Sequence, residues 1–283
     1  MVLKVTQKVS EADKHSADVT ILFSRNGKLY SGANDGKIKI WGTDLKLQKT
    51  IDAHPVNVYD LTANEQFLYS CSNDGTLKAW NLISGDFVQT ITENTDEEIL
   101  KLFFTNGRLY AGDVKGNVKV FENQTLISQY ETFEEITGLC VKDNIVFTAG
   151  TLDVVVTEMK PGNKSQYTTR KTENGRGPLS LVNDLIVFIS RDGRSLVSMN
   201  ATNDFKVAGK FEGHELIINA LCGDERTGSI LTGGYDKCLK MWDPKSEKCS
   251  SSVDIGQIIN SIAVIDDEVY VAADDSIVKV AYA

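Results

Sequence analysis

The sequence predicts an all-β fold assembled from seven copies of one small antiparallel sheet. Three observations carry that expectation. A segment recurs about every forty residues, apolar residues alternate within each copy, and His, hydroxyl, Asp and Trp residues fall in register from copy to copy.

The recurrence is plainest between Leu29–Trp41 and Leu68–Trp80, which begin 39 residues apart and share Leu-Tyr-Ser at the start, Asn-Asp-Gly in the middle and Trp at the end. Further copies run from Leu109 to Phe121, from Leu231 to Trp242 and, degraded, from Val269 to Ala281. Ile145 to Thr157 and Ile186 to Met199 match more weakly but occupy the two expected gaps. With the turn position placed at Asp35, Asp74, Lys115, Thr151, Asp192, Asp236 and Asp275, the intervals are 39, 41, 36, 41, 44 and 39 residues.

Each copy reads as strands. Ile38 and Ile40, Val118 and Val120, and Val278 and Val280 alternate with polar residues, and the runs are rich in β-branched side chains. Asp-Gly or a similar pair separates two runs within a copy, and Asn26-Gly27 and Asn106-Gly107 mark hairpins upstream, where a tight turn needs positive φ.

The register of polar residues is the most specific signal. All three His and all three Trp of the chain fall into three sets: His15, Ser31, Asp35, Trp41; His54, Ser70, Asp74, Trp80; and His214, Thr232, Asp236, Trp242. Asp to Trp is 6 residues and hydroxyl to Asp is 4 in every set, while His to hydroxyl is 16, 16 and 18. Ser, His and Asp together raise the thought of a hydrolase, but an active site is not repeated three times around one chain. The sets are expected to be architectural and the chain to have no catalytic residues.

A forty-residue period with Trp after an Asp-turn hairpin resembles the WD-repeat family over the whole chain, although only Trp242-Asp243 keeps the Trp-Asp pair. The resemblance implies a seven-bladed β-propeller of four-stranded antiparallel blades at about 18–54, 56–94, 97–132, 135–172, 176–212, 216–254 and 257–283. The run Val2 to Val9, within residues 2–10, supplies the outer strand that the last blade lacks. It also implies that each Asp accepts from its His, that the His bonds the hydroxyl and that the hydroxyl meets the indole N–H. Blades without a tetrad (three, four, five and seven) are expected to rest on apolar packing, for example at Leu102, Phe103, Phe104, Leu139 and Val141.

Positional transfer places partner contacts on the rim that carries the tetrad His and Asp. The residues five after each His, or its equivalent, are Thr20, Tyr59, Leu100, Thr137, Leu179, Asn219 and Asn260. Those before each turn residue include Asn34, Asn73, Val114, Arg191, Tyr235 and Asp274. Tyr59, Asn73, Leu100, Leu179, Arg191, Asn219 and Tyr235 form the expected binding set, with Tyr59, Tyr235 and Arg191 as anchors.

The remaining composition narrows the function classes. A net charge of −9 disfavours nucleic acid and anionic membrane as partners. Arg170, Lys171 and Arg176 beside Tyr167 are the one basic cluster that keeps RNA binding as an alternative. A ubiquitin-pathway receptor or adaptor is the other, though Trp242-Asp243-Pro244-Lys245 carries Lys where an Arg fork would be needed. Residues 1 to 30 hold no apolar run of signal-peptide length, and five widely spaced Cys without a Cys-x-x-Cys pair point to a reducing cytoplasm or nucleus. No metal, cofactor or small-molecule substrate is expected. The reading is a non-enzymatic scaffold or adaptor that docks other proteins or peptides.

Overall fold

A computed structural model describes residues 2–93, 97–160, 166–202 and 204–282. Their 28 strands form seven four-stranded antiparallel sheets. Within six of the sheets the strands, a to d, run in sequence order from the axis outward, as Val19–Arg25, Lys28–Ala33, Lys37–Trp41 and Leu47–Asp52 do in blade one. The a strands of neighbouring blades touch one another in a closed ring. The fold is a seven-bladed β-propeller.

The ring closes where the sequence expectation put it. Leu3–Lys8 pairs antiparallel with Ser276–Tyr282, so the first strand of the chain is the outer strand of blade seven. Leu3 is buried and its N–H donates to Ser251 Oγ of blade six at 2.9 Å. Gln7 Nε2 donates to the Asp44 carbonyl of blade one at 2.7 Å.

Local chemistry dictates the turns. Asn26 and Gly27 have φ of 50° and 68°, and Asn106 and Gly107 have 50° and 75°. Both central residues of these two-residue a–b hairpins are thus left-handed, the geometry that matches strand twist.

The core is divided among seven clusters, each shared by two adjacent blades. Trp41 of blade one packs with Tyr270 and Ala272 of blade seven, Trp80 with Tyr30 and Ile40 of blade one, and Trp242 with Phe211 of blade five. Each tetrad Trp therefore fills the seam to the preceding blade, where truncating it to Ala would cost about 3–5 kcal/mol.

In blades one, two, three, six and seven strand a carries a one-residue bulge, at Thr20, Tyr59, Leu100, Asn219 and Asn260. A bulge re-aims the extra side chain away from the ladder, and here it does so at the axial end of the rim. Blade five differs: its register shifts between Arg176 and Leu179, a two-residue interruption. Leu179 consequently occupies the register of Ile21, not that of Thr20. It is 9% exposed and packs in the core between blades four and five, which corrects its expected place among the rim residues.

Candidate functional site: tetrads, rim and axial cavity

The three tetrads have nearly the same geometry. His15 Nδ1 lies 3.1 and 3.0 Å from the two Asp35 oxygens, and its Nε2 lies 2.8 Å from Ser31 Oγ, which also accepts the Trp41 indole N–H at 2.9 Å. In blade two, His54 Nδ1 to Asp74 is 3.1 Å, His54 Nε2 to Ser70 is 2.8 Å and Trp80 to Ser70 is 2.9 Å. In blade six the three distances are 2.8, 2.7 and 2.7 Å, through Asp236, Thr232 and Trp242. A proton on each Nδ1, donated to Asp, leaves Nε2 to accept from the hydroxyl, so every polar atom is satisfied.

Electrostatics follow from this enclosure. Burial alone would raise the Asp35 carboxyl, but His15 and the backbone N–H groups of Ser16 and Lys37 outweigh it and hold the pKa at about 2. Burial drives His54 down to about 4 against the opposing pull of Asp74, and His214 is lowered for the same reason. Ser31, Ser70 and Thr232 are 0% exposed. A hydroxyl wedged between imidazole and indole, with no solvent contact, is out of reach of any substrate.

Each tetrad also fastens two loops. Asp35, in the b–c turn, accepts N–H groups from Ser16 in the d–a loop and from Lys37 at the start of strand c, and Asp236 does the same with Glu215 and Cys238. The tetrads thus hold the rim loops rather than act on a ligand.

Blade three corrects the expectation of purely apolar support. Asp113 is fully buried, receives N–H groups of Lys115 and Asn117 and the Asn117 amide, and pairs with Lys119 Nζ at 3.1 Å. Lys119 also binds Glu97 at 2.7 Å. This ionic cluster joins the d–a loop to the b–c turn, as a tetrad does elsewhere. Its signal was Asp113 where the other copies carry a small residue, two positions before the expected turn.

The rim residues fall into different situations. Tyr235 is 46% exposed. Tyr59 is half-buried, its hydroxyl donating to Glu98 at 3.2 Å. Asn73 beneath it has a buried, unpartnered Oδ1. Arg191 is exposed but bound to Asp153 at 2.9 Å and to the Leu152 carbonyl at 3.0 Å, bridging blades five and four. Leu100 and Asn219 are half-buried, and Asn219 lines the axial cavity.

Sequence reasoning missed most of what the rim exposes. Val56, Phe133, Leu216 and Ile217 in d–a loops and Leu152 in a b–c turn are exposed apolar residues at the same end as Tyr235 and Val114, the two such residues that positional transfer placed there. Apolar residues interrupting polar loops were the available clue.

The axial cavity, about 480 Å³, is lined by the a strands. Asp60 is buried there and accepts the N–H of Leu102 in blade three at 2.8 Å. Burial raises its pKa and Lys101 opposes the shift. Two residues of the basic cluster near Tyr167 are already engaged: Arg170 binds Glu158 at 2.8 Å, and Lys171 binds Glu173 at 3.1 Å and the Phe205 carbonyl at 2.6 Å.

With this geometry in place, comparison with known proteins assigns the class. The family described as "WD domain, G-beta repeat" matches residues 6–42, 45–81 and 205–243, the segments that contain the three Trp. The chain is a WD-repeat β-propeller of seven blades. The crystal structure of the WD40 β-propeller domain of Doa1 superimposes with a TM-score of 0.83 at 17% identity, covering 98% of this chain and 96% of that one. The computationally designed Ika8 protein superimposes at 0.73 with 21% identity, covering 98% and 100%. At such identities the likeness concerns the fold alone. No curated protein matches in sequence. WD-repeat propellers generally mediate protein–protein interaction without catalysis.

Proposed function

We propose that this protein is a non-enzymatic adaptor that docks partner proteins or peptides on the rim formed by its d–a loops and b–c turns. The observation that carries this reading is the concentration there of exposed apolar residues: Leu216, Ile217 and Tyr235 on loops fastened by the blade-six tetrad, and Phe133 and Leu152 on the corresponding loops of blade four. Exposed apolar area on a rigid frame is what an interface needs, because little ordering entropy opposes association. The five Cys, all free thiols, support a reducing compartment, the cytoplasm or nucleus.

Co-purification from native cells with the wild type and with Tyr59→Ala and Tyr235→Ala tests the proposal. The adaptor reading expects a stable protein partner that at least one variant loses while both remain folded. Recovery of no partner by the wild type, or full retention by both variants, removes its support.

A further inference from the structure

A pocket of about 100 Å³ opens between blades three and four, at the place a tetrad fills elsewhere. The correspondence is given by register. Thr148 lies opposite Leu139 as Ser31 lies opposite Leu22, and Thr157 lies opposite Val146 as Trp41 lies opposite Leu29. Thr132 precedes Ile136 by the four residues that separate His15 from Val19. Blade four therefore keeps the tetrad hydroxyl but has Thr for both Trp and His, and the volume of the two lost rings is the pocket.

Two observations show that the space is more than a packing defect. Tyr130 and Thr148 line it and are 4% and 2% exposed; the Thr148 hydroxyl makes no hydrogen bond, and the Tyr130 hydroxyl makes none of regular geometry, the Thr157 side chain being the polar group nearest to it. A dry apolar void does not carry two such hydroxyls, since each unmade bond of a buried polar group is destabilising. The volume is several times the roughly 10–15 Å³ one water requires. Tyr167, its ring centroid 4.7 Å from that of Tyr130, forms an outer wall, and fully exposed Phe133 stands at the lip.

Charge decides the occupant. The lining has three carboxylates, Glu131, Glu134 and Asp153, and no Lys or Arg. Asp153 is already paired with Arg191, whereas Glu134 is held in place by the N–H of Leu152 at 3.0 Å and has no cationic partner among the described residues. Aromatic faces beside a carboxylate attract a cation, and hydroxyl oxygens behind them accept its N–H groups.

We propose that this pocket binds the cationic end of a basic side chain, a guanidinium or ammonium on an aliphatic stem, from a partner polypeptide. The choice of a polypeptide as its source rests on the adaptor reading. The cation site itself does not, for its hydroxyls and carboxylates are no part of that reading; the two share only Phe133 at the lip.

The test is titration of the full chain with a short glycine peptide bearing one central arginine, followed through amide shifts of Thr148 and Thr157. Peptides with alanine or glutamate at the centre, and agmatine as a free cation, serve for comparison. Saturable binding of the arginine peptide alone among the peptides is expected. Glu134→Gln should weaken it about ten-fold and Tyr130→Phe or Thr148→Val about five-fold, at unchanged melting temperature.

Thr157→Trp, which refills the seam, should abolish binding. The hydroxyl-only variants decide the matter if that chain does not fold. Absence of blade-four shifts up to about 10 mM peptide, equal binding of the glutamate peptide, or insensitivity to Glu134→Gln overturns the site. Tighter binding of agmatine than of the peptide overturns the polypeptide source. Tyr59→Ala and Tyr235→Ala leave this titration unchanged, so failure of the rim reading is seen separately.

Discussion

The backbone N–H of His54 in blade two donates to the carbonyl oxygen of Gly36 in blade one at 2.9 Å. The tetrad of one blade is thereby hung from the b–c turn of its neighbour. Gly36 has φ of 75°, and a Cβ added to it would stand 2.2 Å from the His54 carbonyl oxygen. Gly27 has a similar φ of 68° with nothing within 4 Å.

Gly27→Ala should therefore show only the left-handed penalty, about 1–2 kcal/mol, while Gly36→Ala adds a backbone collision and costs at least about 3 kcal/mol. Denaturant unfolding of the two variants checks this. Equal losses would mean that the contact between the blades does not contribute.

Asp74 receives His54 Nδ1, the Thr76 N–H and the Thr76 hydroxyl. Asp74→Ala removes three bonds at once and should destabilise by about 3 kcal/mol or more, with a melting temperature several degrees lower. Asp74→Asn keeps an acceptor for the imidazole and should lose about 1 kcal/mol. An unchanged melting temperature in the alanine variant would contradict the network.

The tetrads also set an acid limit. His54 titrates near 4 in the fold against an ordinary His value of 6.5, so below the latter the unfolded chain takes up a proton that the folded chain refuses. Stability is fully present above about pH 6.5 and falls as pH drops toward 4, by about 3 kcal/mol from this residue, with His214 acting in the same direction. Asp35, held at about 2 against an ordinary 3.8, adds a second loss between those values. Thermal melts from pH 7 to pH 3 should decline in that order. A stability that rises on acidification from pH 7 to pH 5 would show that the His residues are charged in the fold.

Lys119, 8% exposed between Glu97 and fully buried Asp113, is the cation on which blade three depends. Lys119→Met preserves much of the stem's volume but strands the fully enclosed Asp113 without a cation and leaves Glu97 only its longer pairing with Lys115 at 3.4 Å. A loss of about 3–5 kcal/mol is expected. Because the wild-type cluster is largely shielded from solvent, its stability should change little between low and high salt. Chemical denaturation at two ionic strengths tests both points.

The parts that repeat were legible in the sequence. Hairpin turns, alternating strands and the register of His, hydroxyl, Asp and Trp each impose a spacing, and together they define the ring. What escaped reading were substitutions that solve the same local problem with different chemistry. Asp113 and Lys119 tie blade three together from positions where other copies have a small residue and an ordinary lysine. Thr157 closed a weakly matching copy and Thr132 carried no signal of its own, and only the strand register shows them standing where rings are missing. Leu179 was misplaced because an added residue in its bulge moves every later side chain one position along the strand, which counting from a consensus does not reveal. Exposure at the rim was equally invisible, since Arg191 finds Asp153 across a blade boundary 38 residues away.

Ring closure gives the last prediction. Leu3–Lys8 covers the edge of Ser276–Tyr282, and Leu3 and Gln7 reach the blades on either side. Removing residues 2–8 uncovers the edge of residues 278–282, whose unpaired N–H and C=O groups recruit another chain. The truncated protein should melt at lower temperature and elute as dimers or aggregates, with light scattering reporting the mass. A synthetic peptide of residues 2–9 added in trans should restore the monomer by supplying the missing strand. A truncated chain that stays monomeric with an unaltered melting curve would mean that the other three strands of blade seven hold the ring without it.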